Sequence, residues 1–261
     1  YEHRLSDSAY TQVNTSAARW DGTETIEGKT ILVLGEQGLG DMIQFSRYIP
    51  QLHQLGAQVI LQVPDSLAAL FKNLAGVIAT LPMQATPPET NLYCMLMSLP
   101  AIFKTEIDTI PYGHTAYLAP SANALSQWQT SLKKKQRTRV GLVTRGNPRN
   151  PRDAHRRINL DNLVQILPHH IDYFLLHDQL HIDDEQVLIE HPQIHSIHAQ
   201  VHDFNDTAAA CSQMDLVITV DTALAHLAGA LGVQTWIMIP FSSDWRWFLQ
   251  RDDSPWYPKV R

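Results

Sequence analysis

The 261 residues are 44% hydrophobic and 18% charged, with a formal net charge of −6. That balance supplies apolar material for one large core or two smaller ones, and it lacks the basic field a nucleic-acid surface requires. The two cysteines, Cys94 and Cys211, sit in apolar surroundings and read as buried thiols; with no leader-like segment and no bilayer-length apolar run, the expectation is a cytoplasmic protein without a transmembrane segment.

Thr30–Leu34 (TILVL) is a short apolar run ahead of a Gly-rich turn, the mark of a buried parallel strand. The turn at 35–41 (GEQGLGD) leads into a helical stretch over 42–55 that stops at Gly56. A strand at 59–63, a helix at 66–74 and a strand at 77–81 follow, and the Pro- and Thr-rich residues 82–90 read as loop. This rhythm means βαβ units and a parallel sheet. Residues 119–132 look helical. The stretch 133–139 (KKKQRTR) reads as a solvated linker, with a phosphate-binding patch as the alternative. The pattern then restarts: a strand at 139–143 with a second Gly turn behind it, a helix at 160–167, and a strand at 173–177. A strand at 216–220, a helix at 222–231 closed by Gly232, and a strand at 234–239 complete it. The fold class expected is α/β with two Rossmann-like domains. One covers 1–125, with an N-terminal stub at 1–18, and the other covers 126–261.

Four places carry candidate chemistry. The turn at 35–41 lies between strand and helix, where parallel sheets place ligands, and its glycines permit close backbone approach. Asp41 either caps the helix or has a catalytic or substrate-binding role. The segment Asp221-Thr222-Ala-Leu-Ala-His226 places a helix N-terminus directly after a buried strand, and such a terminus suits a diphosphate. Thr222 can donate to phosphate, Asp221 can cap or accept from a ribose, and His226 shares a face with Thr222 by its i,i+4 spacing. A satisfied core histidine is the other reading. The loop carrying Arg145, Asn147, Arg149, Arg152, Arg156 and Arg157 is either a phosphate-binding or a solvated basic loop. Trp245 and its aromatic neighbours either stack a base or sugar or pack structurally. The pairs His177/His181 and His191/His195 have helical metal-ligand spacing, but no carboxylate or thiol completes a site, so they read as surface histidines and no metal is expected.

The blocks GEQGLGDMIQFSRY (35–48), DLVITVDTALAHLAGALG (215–232) and DWRW (244–247) resemble the glycosyltransferase-like domain that follows tetratricopeptide repeats in many bacterial proteins. That domain is related to the lipopolysaccharide heptosyltransferases, glycosyltransferase family 9. The resemblance implies a GT-B fold, with two Rossmann-like domains facing each other across a cleft. It implies metal-independent sugar transfer from a nucleotide-diphosphate sugar, bound as substrate rather than cofactor, to a glycan, lipid-linked or protein hydroxyl. Asp41 matches the base. Gly38, Gly40, Gln44 and Arg47 fall on the acceptor side, while Asn147, Arg149, Arg156, Asp221, Thr222 and His226 fall on the donor side. Trp245 is a stacking candidate, and tetratricopeptide repeats are an expected upstream partner. Where relatives read Trp-Ser-Gly-Asn-Pro, this chain has Thr144-Arg145-Gly146-Asn147-Pro148, and Arg157 replaces a common Ser. An inactive nucleotide- or glycan-binding module of a repeat protein is therefore the rival reading.

Overall fold

A computed structural model describes residues 2–6, 13, 15–132, 134–147, 150 and 153–261. The chain divides into two compact units, Tyr1–Pro111 and Tyr112–Arg261.

The first unit holds β1 (Ala18–Arg19), β2 (Thr30–Leu34), α1 (Leu39–Phe45), α2 (Ile49–Gln54) and β3 (Gln58–Gln62). It continues with α3 (Asp65–Phe71), β4 (Val77–Leu81), β5 (Leu92–Met95) and α4 (Leu99–Ile102). Its sheet runs β1-β5-β2-β3-β4 and every pairing is parallel. β2 is central, and Ile31, Leu32 and Val33 are fully buried, as a strand covered on both faces requires. The helix expected over 42–55 is interrupted by a 3-10 turn at Ser46–Tyr48. Pro50 lies in the first turn of α2; without an N–H it cannot bond to the preceding turn, so the α-helix restarts there.

The second unit holds α5 (Ala122–Ser131), β6 (Arg139–Val143), α6 (Leu160–Val164), β7 (Asp172–Leu175), α7 (Ile182–Glu190) and β8 (Ile194–Ser196). It ends with α8 (Phe204–Cys211), β9 (Leu216–Val220), α9 (Ala223–Ala230) and β10 (Thr235–Met238). Its sheet runs β10-β9-β6-β7-β8, again all parallel. Val140, Leu142, Leu160, Leu163, Tyr173 and Leu175 build a buried core on one side of it. The sequence boundary at 125/126 would cut α5, whereas the compact units divide at 111/112. The segment between belongs to the second unit because Tyr117 and Leu118 both donate N–H to the carbonyl of Ala230, at 3.0 and 3.2 Å. The Ser121 N–H also donates to Asn205 Oδ1 at 2.8 Å.

Each sheet reverses its strand order once. In the first unit the chain runs from β2 out to β4 and returns to β5; in the second it runs from β6 out to β8 and returns to β9. A crevice at the carboxyl end of the sheet follows from each reversal, and open parallel sheets bind ligands there.

Candidate functional site

In the first unit β2 ends in the Gly-rich turn. Gly35 donates its N–H to the Gln62 carbonyl at 2.8 Å. A Cβ at Gly35 would stand 2.8 Å from that oxygen and 2.9 Å from Met42 Sδ, so only glycine lets β2, β3 and α1 approach so closely. Gln37 sits at φ +63°, a left-handed conformation that costs a side-chain-bearing residue about 1 kcal/mol. Gly38 is the N-cap, and Asp41, three residues on, accepts the Gly38 N–H on Oδ2 at 2.9 Å. Asp41 thus closes the first turn from within α1 rather than from the N-cap position. Its side chain is half-buried, as is Gly40, and Gly38 is exposed. Gln44 and Arg47 are fully buried. The Arg47 guanidinium donates to the carbonyls of Gln44 at 2.8 Å and Pro111 at 3.3 Å, contacts that place it inside the fold.

In the second unit two turns meet at the strand-order reversal. After β6, Gly146 donates its N–H to Asp153 Oδ1 at 2.7 Å. The same oxygen holds Arg156 Nε at 3.3 Å, and Arg156 Nη1 donates to the Asp221 carbonyl at the end of β9. A Cβ on Gly146 would fall 2.6 Å from Arg156 Nη2, 2.9 Å from Asp153 Oδ1 and 3.1 Å from Thr222 Cγ2. Gly146, Arg156, Asp221 and Thr222, more than 70 residues apart at the extremes, are therefore brought into one contact cluster. Thr222, not Asp221, is the N-cap of α9, its hydroxyl accepting from the Leu224 N–H at 3.2 Å. Burial raises the Asp221 carboxyl above its ordinary pKa; nearby Asp244 adds to this, while Arg156 and Arg246 oppose it. Asn147 is exposed; Arg149 and Arg152 lie outside the described residues. The start of α9 and the Arg156 guanidinium lie together here, surroundings suited to an anion.

His226 is 6% exposed. Its Nδ1 lies 2.8 Å from the Tyr257 hydroxyl, and its ring stacks on Trp247 with centroids 5.2 Å apart. These contacts seat α9 against the residues that follow β10. Trp245 is half-exposed, with the Arg246 guanidinium 4.5 Å over its ring and Trp256 edge-on at 6.0 Å. Arg145 does not join the cluster: it is held by Asp184 Oδ1 at 2.6 Å. Burial raises the Asp184 pKa, against the pull of Arg145. His177 Nε2 accepts the Thr144 N–H at 3.1 Å, and burial, reinforced by Arg145, lowers its pKa to about 4. His181 instead caps α7 through Nδ1, and His195 is exposed on β8 beside Phe174, so the two spaced histidine pairs do not lie along one helix. Among the described residues no group of three or more His, Cys, Asp or Glu is placed to hold a metal ion. Both cysteines are buried and free, their thiols pushed up to about 12 by burial.

Sequence reasoning missed Asp153, which ties Gly146 to Arg156, and the grip of Arg4 on Glu36 (Nη2 to Oε2, 2.9 Å). Asp153 stands within the basic loop, and a lone acid among arginines was the available signal.

The structure superposes on the glycosyl transferase family 9 protein of Veillonella parvula with a TM-score of 0.63 at 11% identity, covering 84% of each chain. It superposes on ADP-heptose lps heptosyltransferase II of E. coli with a TM-score of 0.60 at 14% identity, covering 89% of each chain. The chain has the fold of the family 9 glycosyltransferases. In sequence it is 26% identical to protein FlbA of Caulobacter vibrioides; the match covers the whole chain but 48% of FlbA, so the chain spans about half the length of that curated relative. No family model matches. Among the described residues no helix is long and apolar enough to cross a membrane.

Proposed function

We propose that this chain transfers a sugar from a nucleotide-diphosphate donor to an acceptor hydroxyl. The observation that carries the reading is the cluster at the second unit's strand-order reversal: Gly146 and Thr222 close on a guanidinium that is itself fixed by Asp153 and the Asp221 carbonyl. In the reaction the acceptor oxygen bonds to the anomeric carbon, the bond from that carbon to the diphosphate oxygen breaks, and Asp41 takes the acceptor proton. Arg156 and the N-terminal turn of α9 take up the charge of the leaving diphosphate, and no metal enters the scheme. His226, through Tyr257 and Trp247, keeps α9 in place. Trp245, half-exposed in the second unit, is the stacking candidate for the nucleoside or sugar. The reading requires the 35–41 turn and the start of α9 to come together across a cleft in the GT-B manner. The acceptor is a glycan, lipid-linked or protein hydroxyl, and the enzyme works in the cytoplasm.

A thermal-shift panel of ADP-, UDP-, GDP- and CMP-sugars tests this. ADP-sugars are the first choice because the E. coli protein with this fold is named for ADP-heptose. One donor should raise Tm progressively with concentration, equivalent to about 2.7 kcal/mol at a hundred times Kd. If no member of the panel shifts Tm, the donor-site reading fails. The rival binding-module reading is favoured by Arg145, which is committed to Asp184 rather than to the crevice. It is distinguished by saturable stabilisation without transfer to any acceptor.

A further inference from the structure

We infer that Arg4 is a positioning residue that pins the Gly-rich turn of the first unit from upstream. The inference rests on the proposed role of Asp41 for its catalytic meaning, but its geometry stands independently. Glu2–Ser6 is a 3-10 segment lying at the strand-order reversal of the first sheet, where the turns after β2 and β5 converge. Arg4 spans both turns. Its Nε and Nη2 grip the two carboxylate oxygens of Glu36 in a fork, the second at 2.9 Å, and Nη2 also donates to Ser98 Oγ at 3.1 Å. The segment is tied down further: Ser98 Oγ donates to Glu2 Oε2 at 2.9 Å, Arg4 Nη1 to Glu2 Oε1 at 2.9 Å, and Arg19 Nη2 to Glu2 Oε2 at 3.2 Å.

Burial makes this pair decisive. The Glu36 side chain is 3% exposed and that of Arg4 is 8% exposed. A carboxylate taken so far out of water requires a partner, and removing one partner leaves an uncompensated buried charge. Glu36 is also followed directly by Gln37 in its left-handed conformation, and then by the Gly38–Asp41 contact. A strained backbone persists only where its surroundings over-determine it. The bidentate Arg4–Glu36 fork is a geometrically specific contact beside that strain. Release of Arg4 frees Glu36 to turn toward water, relaxes Gln37 and lets Asp41 drift from its place. Small displacements of a proton acceptor cost turnover rather than donor affinity.

Backbone hydrogen exchange on the full chain tests this with Arg4→Ala, Arg4→Lys and Glu36→Gln. In Arg4→Ala the amides of 37–42 should exchange about tenfold faster, as expected for losing a charged hydrogen-bonded contact, while those of β2 and β3 keep their protection. Arg4→Lys, which keeps the charge without the fork, should fall between. Glu36→Gln should loosen the same amides, and it supplies the reading if Arg4→Ala does not fold. Unchanged exchange at 37–42, or a rise spread evenly over the first unit, overturns the inference. In a transfer assay Arg4→Ala should lower kcat and leave donor KM in place. If no form of the protein transfers sugar but the exchange change is confined to 37–42, the positioning stands and the transferase reading falls.

Discussion

At the scale of single residues, the second unit holds a buried imidazole kept neutral. His177 accepts a backbone N–H on Nε2 and its pKa is lowered to about 4 from 6.5. The unfolded chain therefore binds a proton between pH 6.5 and 4 that the folded chain refuses, and stability falls as pH drops through that window. At 1.36 kcal/mol for each pH unit of that gap, the loss is on the order of 3 kcal/mol, complete near pH 4. Asp184 and Asp221, whose pKa values are raised by burial, bias stability the opposite way. The measurement is therefore the difference between wild type and His177→Gln in denaturant unfolding at pH 7 and pH 4.5. The variant should lose less stability than wild type over that interval; equal losses would show that His177 is not the titrating group. None of this was legible in advance. A His following a strand reads as surface or as ligand until its partner is known, and that partner, the Thr144 amide, is 33 positions away. Glu36 with Arg4 and Arg145 with Asp184 were hidden for the same reason: ion pairs formed by chain reversal leave no local spacing.

At the scale of elements, four strands were readable to the residue, while β3, β7 and β10 were readable to within one or two residues. β2, β4, β6 and β9 fall where short apolar runs lie; β2, β6 and β9 are apolar because strands inside a covered parallel sheet must be, while β4 is an edge strand whose Ile78 is exposed. β5 was not readable, because its apolar run continues through Leu96–Ser98 into α4 and shows no period of its own. α7 exposes Ile182 and Ile189 and begins with three acids, so its hydrophobic stripe is blurred. α8 (FNDTAAAC) buries mainly alanines, which carry little periodic signal. α9 was plain, but its energetics are a matter of anchoring. His226 joins it to Tyr257 and Trp247, so His226→Ala should cost about 2 kcal/mol or more, from a lost ring contact and an orphaned hydroxyl. Tyr257→Phe should cost about 1 kcal/mol. Chemical denaturation of both variants checks this; a wild-type midpoint for His226→Ala would mean that the ring serves only a ligand.

At the scale of the whole molecule, the restart of the βαβ rhythm near residue 138 announced two separate parallel sheets, and two are found. The boundary was not legible because residues 112–121 are committed to the second unit by backbone bonds to Ala230, which composition does not reveal. Two sheets also mean two sets of turns, and the proposed chemistry divides between them: the base belongs to the first unit, the donor cluster to the second. The two halves of the activity should therefore be separable by mutation. Asp41→Asn keeps an oxygen able to accept the Gly38 N–H, so the turn and α1 should survive. What is lost is a proton acceptor, and turnover should fall by about 10²–10⁴ while donor affinity stays at the wild-type value. Gly146→Ala acts from the other side. Its methyl group would enter the space of Arg156 Nη2 and Asp153 Oδ1, displacing the guanidinium and weakening donor binding about tenfold, the scale of one charged hydrogen bond. Calorimetric titration of the stabilising donor, paired with an assay of transfer to the acceptor, measures both. Normal turnover in Asp41→Asn would reduce Asp41 to a helix-closing residue. Undiminished donor affinity in Gly146→Ala would remove Arg156 from the donor site. A loss of donor affinity in Asp41→Asn would overturn the division itself, because a first-unit carboxylate would then be part of the donor's own binding surface.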